Sequence, residues 1–216
     1  MNFYLIQLKK DSVVLYTEEQ QVDAASSPDP SSDSSNPLDR FLARLASKKG
    51  RLAQSLRNSI VFAREAYAKV EDKIDPMERV LKRLRHTTEL DLAYSPSLEE
   101  PAALKKFEAL LSRQKNKHAL WTGVDFFLSI ISIVLIPLPG PNLFLYYPAL
   151  RTVSHYLARR GALQGLKLER KRLFPLPEIS EIELILNQHP SEFAKIRSLA
   201  EKLKLEQLPP FLERYS

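Results

Sequence analysis

The sequence predicts a mainly α protein: a helical bundle with a central apolar helical hairpin and a small N-terminal β-hairpin. Three observations carry that expectation. Apolar residues recur at helical spacing over long stretches of the chain after residue 36. The stretch 119–157 is almost free of charge and is interrupted by Pro137, Pro139, Gly140 and Pro141, and prolines at that density end a helix because each removes a donor and clashes with the preceding turn. Residues 3–8 and 12–17 are rich in β-branched, aromatic and aliphatic side chains and flank Lys9, Lys10 and Asp11, which is a hairpin signal.

Four segments follow in order. Residues 1–19 form the β-hairpin. Because a lone two-stranded hairpin is marginal in water, it must lie against helices or pair with another short strand. Residues 20–36 are Ser, Asp, Pro and Gln-rich and read as a disordered linker, with too little apolar surface to offset the entropy of ordering. Residues 37–174 form a helical domain. It opens with Asn36 as cap and Pro37 in the first turn, and Leu56, Ile60, Ala63, Tyr67, Val70 and Ile74 line one helical face. Asp75 and Pro76 restart the helix with Glu78 at a cap-like spacing, and the basic helix that follows ends near residue 90. Ser97 and Glu100 have capping-box spacing ahead of a helix carrying Leu104, Phe107, Leu110 and Leu111 on one side. Past the hairpin, 167–174 reads as a basic connector closed by Pro175 and Pro177. Residues 175–216 read as a C-terminal cap of three short helices that bury Phe193, Ile196, Leu203 and Leu205.

The hairpin itself sits at a length boundary. About 20 apolar residues cross a bilayer as a helix, and runs of roughly 10 to 14 are more often core, re-entrant or interfacial segments. Its flanks favour a membrane. Arg113, Lys115 and Lys117 precede it, Arg151, Arg159, Arg160 and Lys167 follow, and no charge lies between Asp125 and Arg151. Basic residues stay on the cytoplasmic or matrix side, which puts both ends of the hairpin there and the Pro-rich tip in or across the membrane. Trp121, Tyr146, Tyr147 and Tyr156 are aromatics of the kind found near headgroups. The alternative for this stretch is the most apolar hairpin of a soluble helical core.

Asp125 is the hairpin's only acid, and an aspartate at membrane depth needs a partner. At the helical rise it lies roughly 16 Å before the tip, and Arg151 and His155 lie roughly 13 and 19 Å past it. Arg151 and His155 share a face that Arg159 continues. The expectation is a charge cluster across the hairpin base, Asp125 with Arg151 first and His155 second. Such a cluster either locks the arms or responds to protons.

Residues 138–142 (LPGPN), the aromatic run 144–147, and then Arg151, Ser154, His155, Ala158 and Gly161 resemble the core signature of the mitochondrial potassium/proton exchange-related family. Residues 2–8 with 13–19, and the segment 70–79, are similar to weaker parts of the same family. The resemblance implies an inner-membrane-associated protein needed for potassium/proton exchange, with Pro139, Gly140, Pro141 and Asn142 in its hairpin motif and no catalytic residues to carry over. No presequence pattern is read before the first strand, which suggests a bacterial relative; the expected location is an inner membrane, on the cytoplasmic side in a bacterium or on the matrix side in a mitochondrion.

Catalytic signals are sparse. His86, His118, His155 and His189 are far apart in sequence and make no paired-ligand spacing, so each reads as a surface or hydrogen-bonding histidine. No cofactor or metal is expected, and no enzymatic activity. Gly161 and Gly165 have Gly-x-x-x-Gly spacing but stand among Arg160, Gln164 and Lys167, so they are discounted as a membrane packing motif. With 32 Lys and Arg against 26 acids, a net charge of +6 and no cysteine, the chain favours anionic partners. The expected partners are anionic headgroups and other membrane proteins or further copies of the chain. Nucleic acid is disfavoured because aromatics do not interleave with the basic runs. The competing reading is a soluble basic helical adaptor for nucleic acid or an acidic protein.

Overall fold

The computed structural model describes residues 2–9, 12–18, 75–134, 143–188 and 193–215. The expected linker 20–36, the apolar helix face between residues 56 and 74, and the tip residues Pro139, Gly140, Pro141 and Asn142 lie outside the described residues.

The protein is mainly helical with a strand pair at its N-terminus. Strand β1 (Asn2–Lys9) and β2 (Ser12–Tyr16) pair antiparallel, with a register shift between Gln7 and Lys9. The hairpin does not stand alone. β3 (Leu90–Tyr94) adds parallel to β1, and β4 (Lys171–Pro175) adds parallel to β3, giving a four-stranded sheet of order β2-β1-β3-β4. Sequence pattern alone places the end of a helix at Leu90 and a basic connector at 167–174, so both strands are corrections. β3 pairs in parallel with strands distant in sequence and has no hairpin turn beside it to mark it. β4 carries Lys171, Arg172 and Pro175, and charge and proline are features of an edge strand.

Helix α1 (Pro76–Leu84) starts where the cap chemistry puts it. The Asp75 carboxylate accepts from the Met77 N–H at 3.0 Å, and Pro76 fills the first turn. Met77, Val80, Leu81 and Leu84 follow a spacing of 3, 1 and 3 and are all buried, which is the helical stripe of a core-facing element. Helix α2 (Glu100–Val134) is a single run of 35 residues. Its start is not made by the Ser97 capping box, because the Ser97 hydroxyl pairs with Ser95. Helix α3 (Leu143–Lys167) packs along α2 and against α1. Three short helices complete the chain: α4 (Pro177–Gln188), α5 (Phe193–Lys202) and α6 (Leu208–Glu213). Ile196 and Leu205 are buried there, and Phe193 and Leu203 are half-buried.

Four consecutive residues of β1, Phe3 to Ile6, are buried. Since successive strand side chains point to opposite faces, both faces of the sheet are covered there. Helices α1 and α2 meet β2, α2 also meets β4, and α4 meets β1. The two glycines discounted above are in fact packing residues. A Cβ on Gly161 would stand 1.7 Å from the Leu81 carbonyl oxygen, and one on Gly165 would stand 2.5 Å from Leu84 Cδ2 and 2.7 Å from Leu111 Cδ1. They let α3 press against α1 inside the body of the protein, where neighbouring charges on the outer face of α3 do not matter.

Candidate functional site

The buried positions of α2 change character along its length. Ala103, Phe107 and Leu111 are buried in its first half, and His118, Asp125 and Ser132 in its second. From Leu111 the interval is seven residues, two turns, which keeps one line of the helix facing its neighbour. The outward positions change in the opposite sense. Leu120, Phe126 and Phe127 are 68%, 57% and 63% exposed, and Trp121, Val124, Leu128, Ile130 and Ile131 are exposed as well. On α3, Ser154 and His155 are buried while Tyr147, Val153 and Tyr156 are exposed. Beyond His118 the helix pair is therefore polar within and apolar without, the reverse of a water-facing helix.

The polar interior is assembled from three helices. α1 supplies Glu78, which is 4% exposed. The Glu78 spacing suggests a cap, but its side chain points into the helix junction. Lys82 Nζ lies 3.0 Å from Oε1, and the Ser154 hydroxyl donates to the same oxygen. Lys82 also donates to Ser154 Oγ at 2.5 Å. Burial alone would raise the Glu78 pKa, but the Lys82 charge, the Ser154 hydrogen bond and His155 outweigh it and hold the carboxyl below its usual range. Glu78 is a carboxylate.

α2 supplies His118, 1% exposed, and Asp125, 5% exposed; α3 supplies Arg151, Ser154 and His155. His118 Nδ1 lies 2.9 Å from His155 Nδ1, and His155 Nδ1 lies 3.7 Å from Glu78 Oε2. On its other side His155 Nε2 is 3.4 Å from Asp125 Oδ2 and 2.9 Å from Arg151 Nη2. Arg151 Nε is 3.5 Å from the same Asp125 oxygen, and its guanidinium sits 5.8 Å from the Tyr147 ring centroid. Burial pushes the His118 pKa down to about 4. Burial also lowers that of His155, with Arg151 and Lys82 assisting against the opposing pull of Glu78 and Asp125. Both rings are neutral at physiological pH. Within this cluster, the buried His118 Nε2 and Asp125 Oδ2 make no hydrogen bond.

Of the residues singled out in the sequence, Asp125, Arg151 and His155 meet at these distances. Arg159, one turn beyond His155, is half-buried with its Nε making no hydrogen bond, and among the described residues the ion-pair partners of Asp125 are Arg151 and His155. Glu78 and His118 are the residues that sequence reasoning misses. Spacing rules look for ligands along one element, whereas these come from α1 and α2 and meet α3 only in the folded chain. The one available signal was the seven-residue interval from His118 to Asp125, which places both on the same face.

The site thus sits where an inside-out helix pair joins a helical body covering a small sheet. Neither a curated protein nor a solved structure matches the chain. A family match, by contrast, extends from residue 2 to residue 168 and so takes in the strands β1 to β3, helix α1 and the whole of the α2–α3 pair. The chain belongs to the family described as mitochondrial K+-H+ exchange-related.

Proposed function

We propose that the protein is a membrane-associated factor of potassium/proton exchange, a subunit or regulator, that embeds the outer half of its α2–α3 pair in the apolar layer of a membrane. The observation that carries this is the inverted pattern of that half. Water outside would leave Phe126, Phe127, Leu128, Ile130 and Ile131 solvated on several sides of one helix, and an exposed apolar surface of that kind marks a docking site. The charge pattern favours a lipid surface as the occupant. Arg113 and Lys115 on α2 and Arg160 on α3 follow the apolar zone toward the body, and basic residues there suit anionic headgroups.

No helix among the described residues is long and apolar enough to cross a membrane. Basic residues at both ends of the apolar zone return both arms to one side of the layer, where the sheet and short helices stay. The family's name supplies the link to mitochondria and to potassium/proton exchange.

Flotation with vesicles tests the reading. The protein is expected to float with vesicles rich in anionic lipid, less with zwitterionic ones, and Phe126→Asp with Phe127→Asp is expected to abolish flotation while leaving far-UV circular dichroism unchanged. Wild-type protein that stays at the bottom of the gradient with anionic vesicles overturns the membrane reading. Potassium-loaded vesicles carrying an internal pH dye then separate a carrier, which collapses the gradient alone, from a regulator, which does not.

A further inference from the structure

We propose that Glu78, His118 and His155 form a binding site for a divalent ion of the zinc class at the junction of α1, α2 and α3. One ligand atom from each lies within 4.8 Å of the others, and all three side chains are buried. A tetrahedral zinc ion bound at about 2.0–2.1 Å sets its ligand atoms roughly 3.3–3.4 Å apart. The observed separations of 2.9 Å between the two Nδ1 atoms and 3.7 Å from His155 Nδ1 to Glu78 Oε2 bracket that value, and the third, between His118 and Glu78, lies within 4.8 Å, so small side-chain rotations bring the three donors around one ion.

The donor set selects the metal. Two imidazoles and one carboxylate suit zinc and its neighbours, whereas calcium and magnesium take oxygen, and three protein ligands leave a fourth position open for water. Both imidazoles are neutral, as ligation requires. Glu78 Oε1 is occupied by Lys82 and Ser154, which fixes the carboxylate and turns Oε2 toward the histidines. Behind His155 stands Asp125, whose buried Oδ2 makes no hydrogen bond and faces His155 Nε2 at 3.4 Å. Metal-binding histidines commonly donate their second N–H to a carboxylate in this way, which fixes the tautomer. Ligation through Nδ1 puts the proton on Nε2, so the present hydrogen bond from Arg151 to that nitrogen is given up and Arg151 is left to Asp125. Asp125, Arg151, Glu78 and Lys82 sum to zero charge, and the ion's own charge is uncompensated. Affinity in the micromolar range is the expected result.

Such an ion ties α1, in the body, to both arms of the α2–α3 pair, and the inference holds whether or not that pair enters a membrane. The test is titration of the purified full chain with Zn2+ and with Co2+. Expected are 1:1 binding by calorimetry, Co2+ visible absorption of tetrahedral intensity, and at least tenfold loss in His118→Asn and in Glu78→Gln. Asp125→Asn is expected to weaken binding about 10- to 100-fold, and His86→Asn, at an exposed residue, to leave it unchanged. Should the ligand variants not fold, imidazole 15N spectra of the wild-type protein decide, because Zn2+ must shift the Nδ1 resonances of two rings that are not His86. No binding up to millimolar Zn2+, binding indifferent to the variants, or shifts confined to other histidines overturns the proposal.

Discussion

Asp125 faces two cationic or basic partners with one buried oxygen. Arg151 reaches it at 3.5 Å and His155 at 3.4 Å, and its side chain is only 7% exposed. Removing one member of such a group leaves the other buried and poorly paired, so single changes are costly and the second change costs less. In chelator-containing buffer, Asp125→Asn and Arg151→Gln should each lower the denaturant midpoint, and the double variant should lose less than the sum by about 1 kcal/mol. Strict additivity within error would show that the contact carries no coupling. A second residue answers to pH. Glu183 accepts the Gln7 N–H at 2.8 Å, and burial raises its pKa above the ordinary 4.5 despite that bond, Ser95 and Lys106. For a carboxyl with a raised folded value the unfolded chain binds fewer protons, so stability falls as pH climbs from the unfolded to the folded pKa and the penalty is complete above the latter. Glu183→Gln keeps an acceptor for Gln7 and removes the charge. Its melting temperature should exceed the wild-type value at pH 7.5 and match it at pH 4, and equal melting temperatures at both would refute the assignment.

Between elements, α3 comes close to α1 at two glycines. Gly161 meets backbone, which cannot yield, while Gly165 meets the ends of two leucine side chains, which can. Gly161→Ala should therefore cost about 3 kcal/mol or leave the protein unfolded, and Gly165→Ala about 1 kcal/mol, since overpacking in cores typically costs 1–3 kcal/mol. Equal costs by chemical denaturation would show that α3 simply slides away. The same approach explains what the sequence could and could not reveal. Elements defined by local chemistry were legible: the cap at Asp75 and Pro76, the two N-terminal strands and the three C-terminal helices. β3 and β4 were not, because each is a five-residue strand held by parallel partners distant in sequence. The spacing of Gly161 and Gly165 was visible, but its use depended on α1, which nothing near those residues announces.

At the scale of the molecule, the helix rise alone brought Asp125 level with Arg151 and His155, because two antiparallel helices side by side act as a ruler. Glu78 and His118 lay beyond that ruler. They are placed by the way the body closes on the pair, and closure depends on the sheet. β1 is bordered by β2 and β3, and β4 completes the far edge only at Lys171–Pro175. During translation the apolar helices therefore leave the ribosome before the last strand of the body exists. A nascent chain at that stage displays Phe126 and Phe127 with an unfinished sheet behind them. On the proposed reading, the order of synthesis offers the apolar half to a membrane before the sheet that backs it is closed.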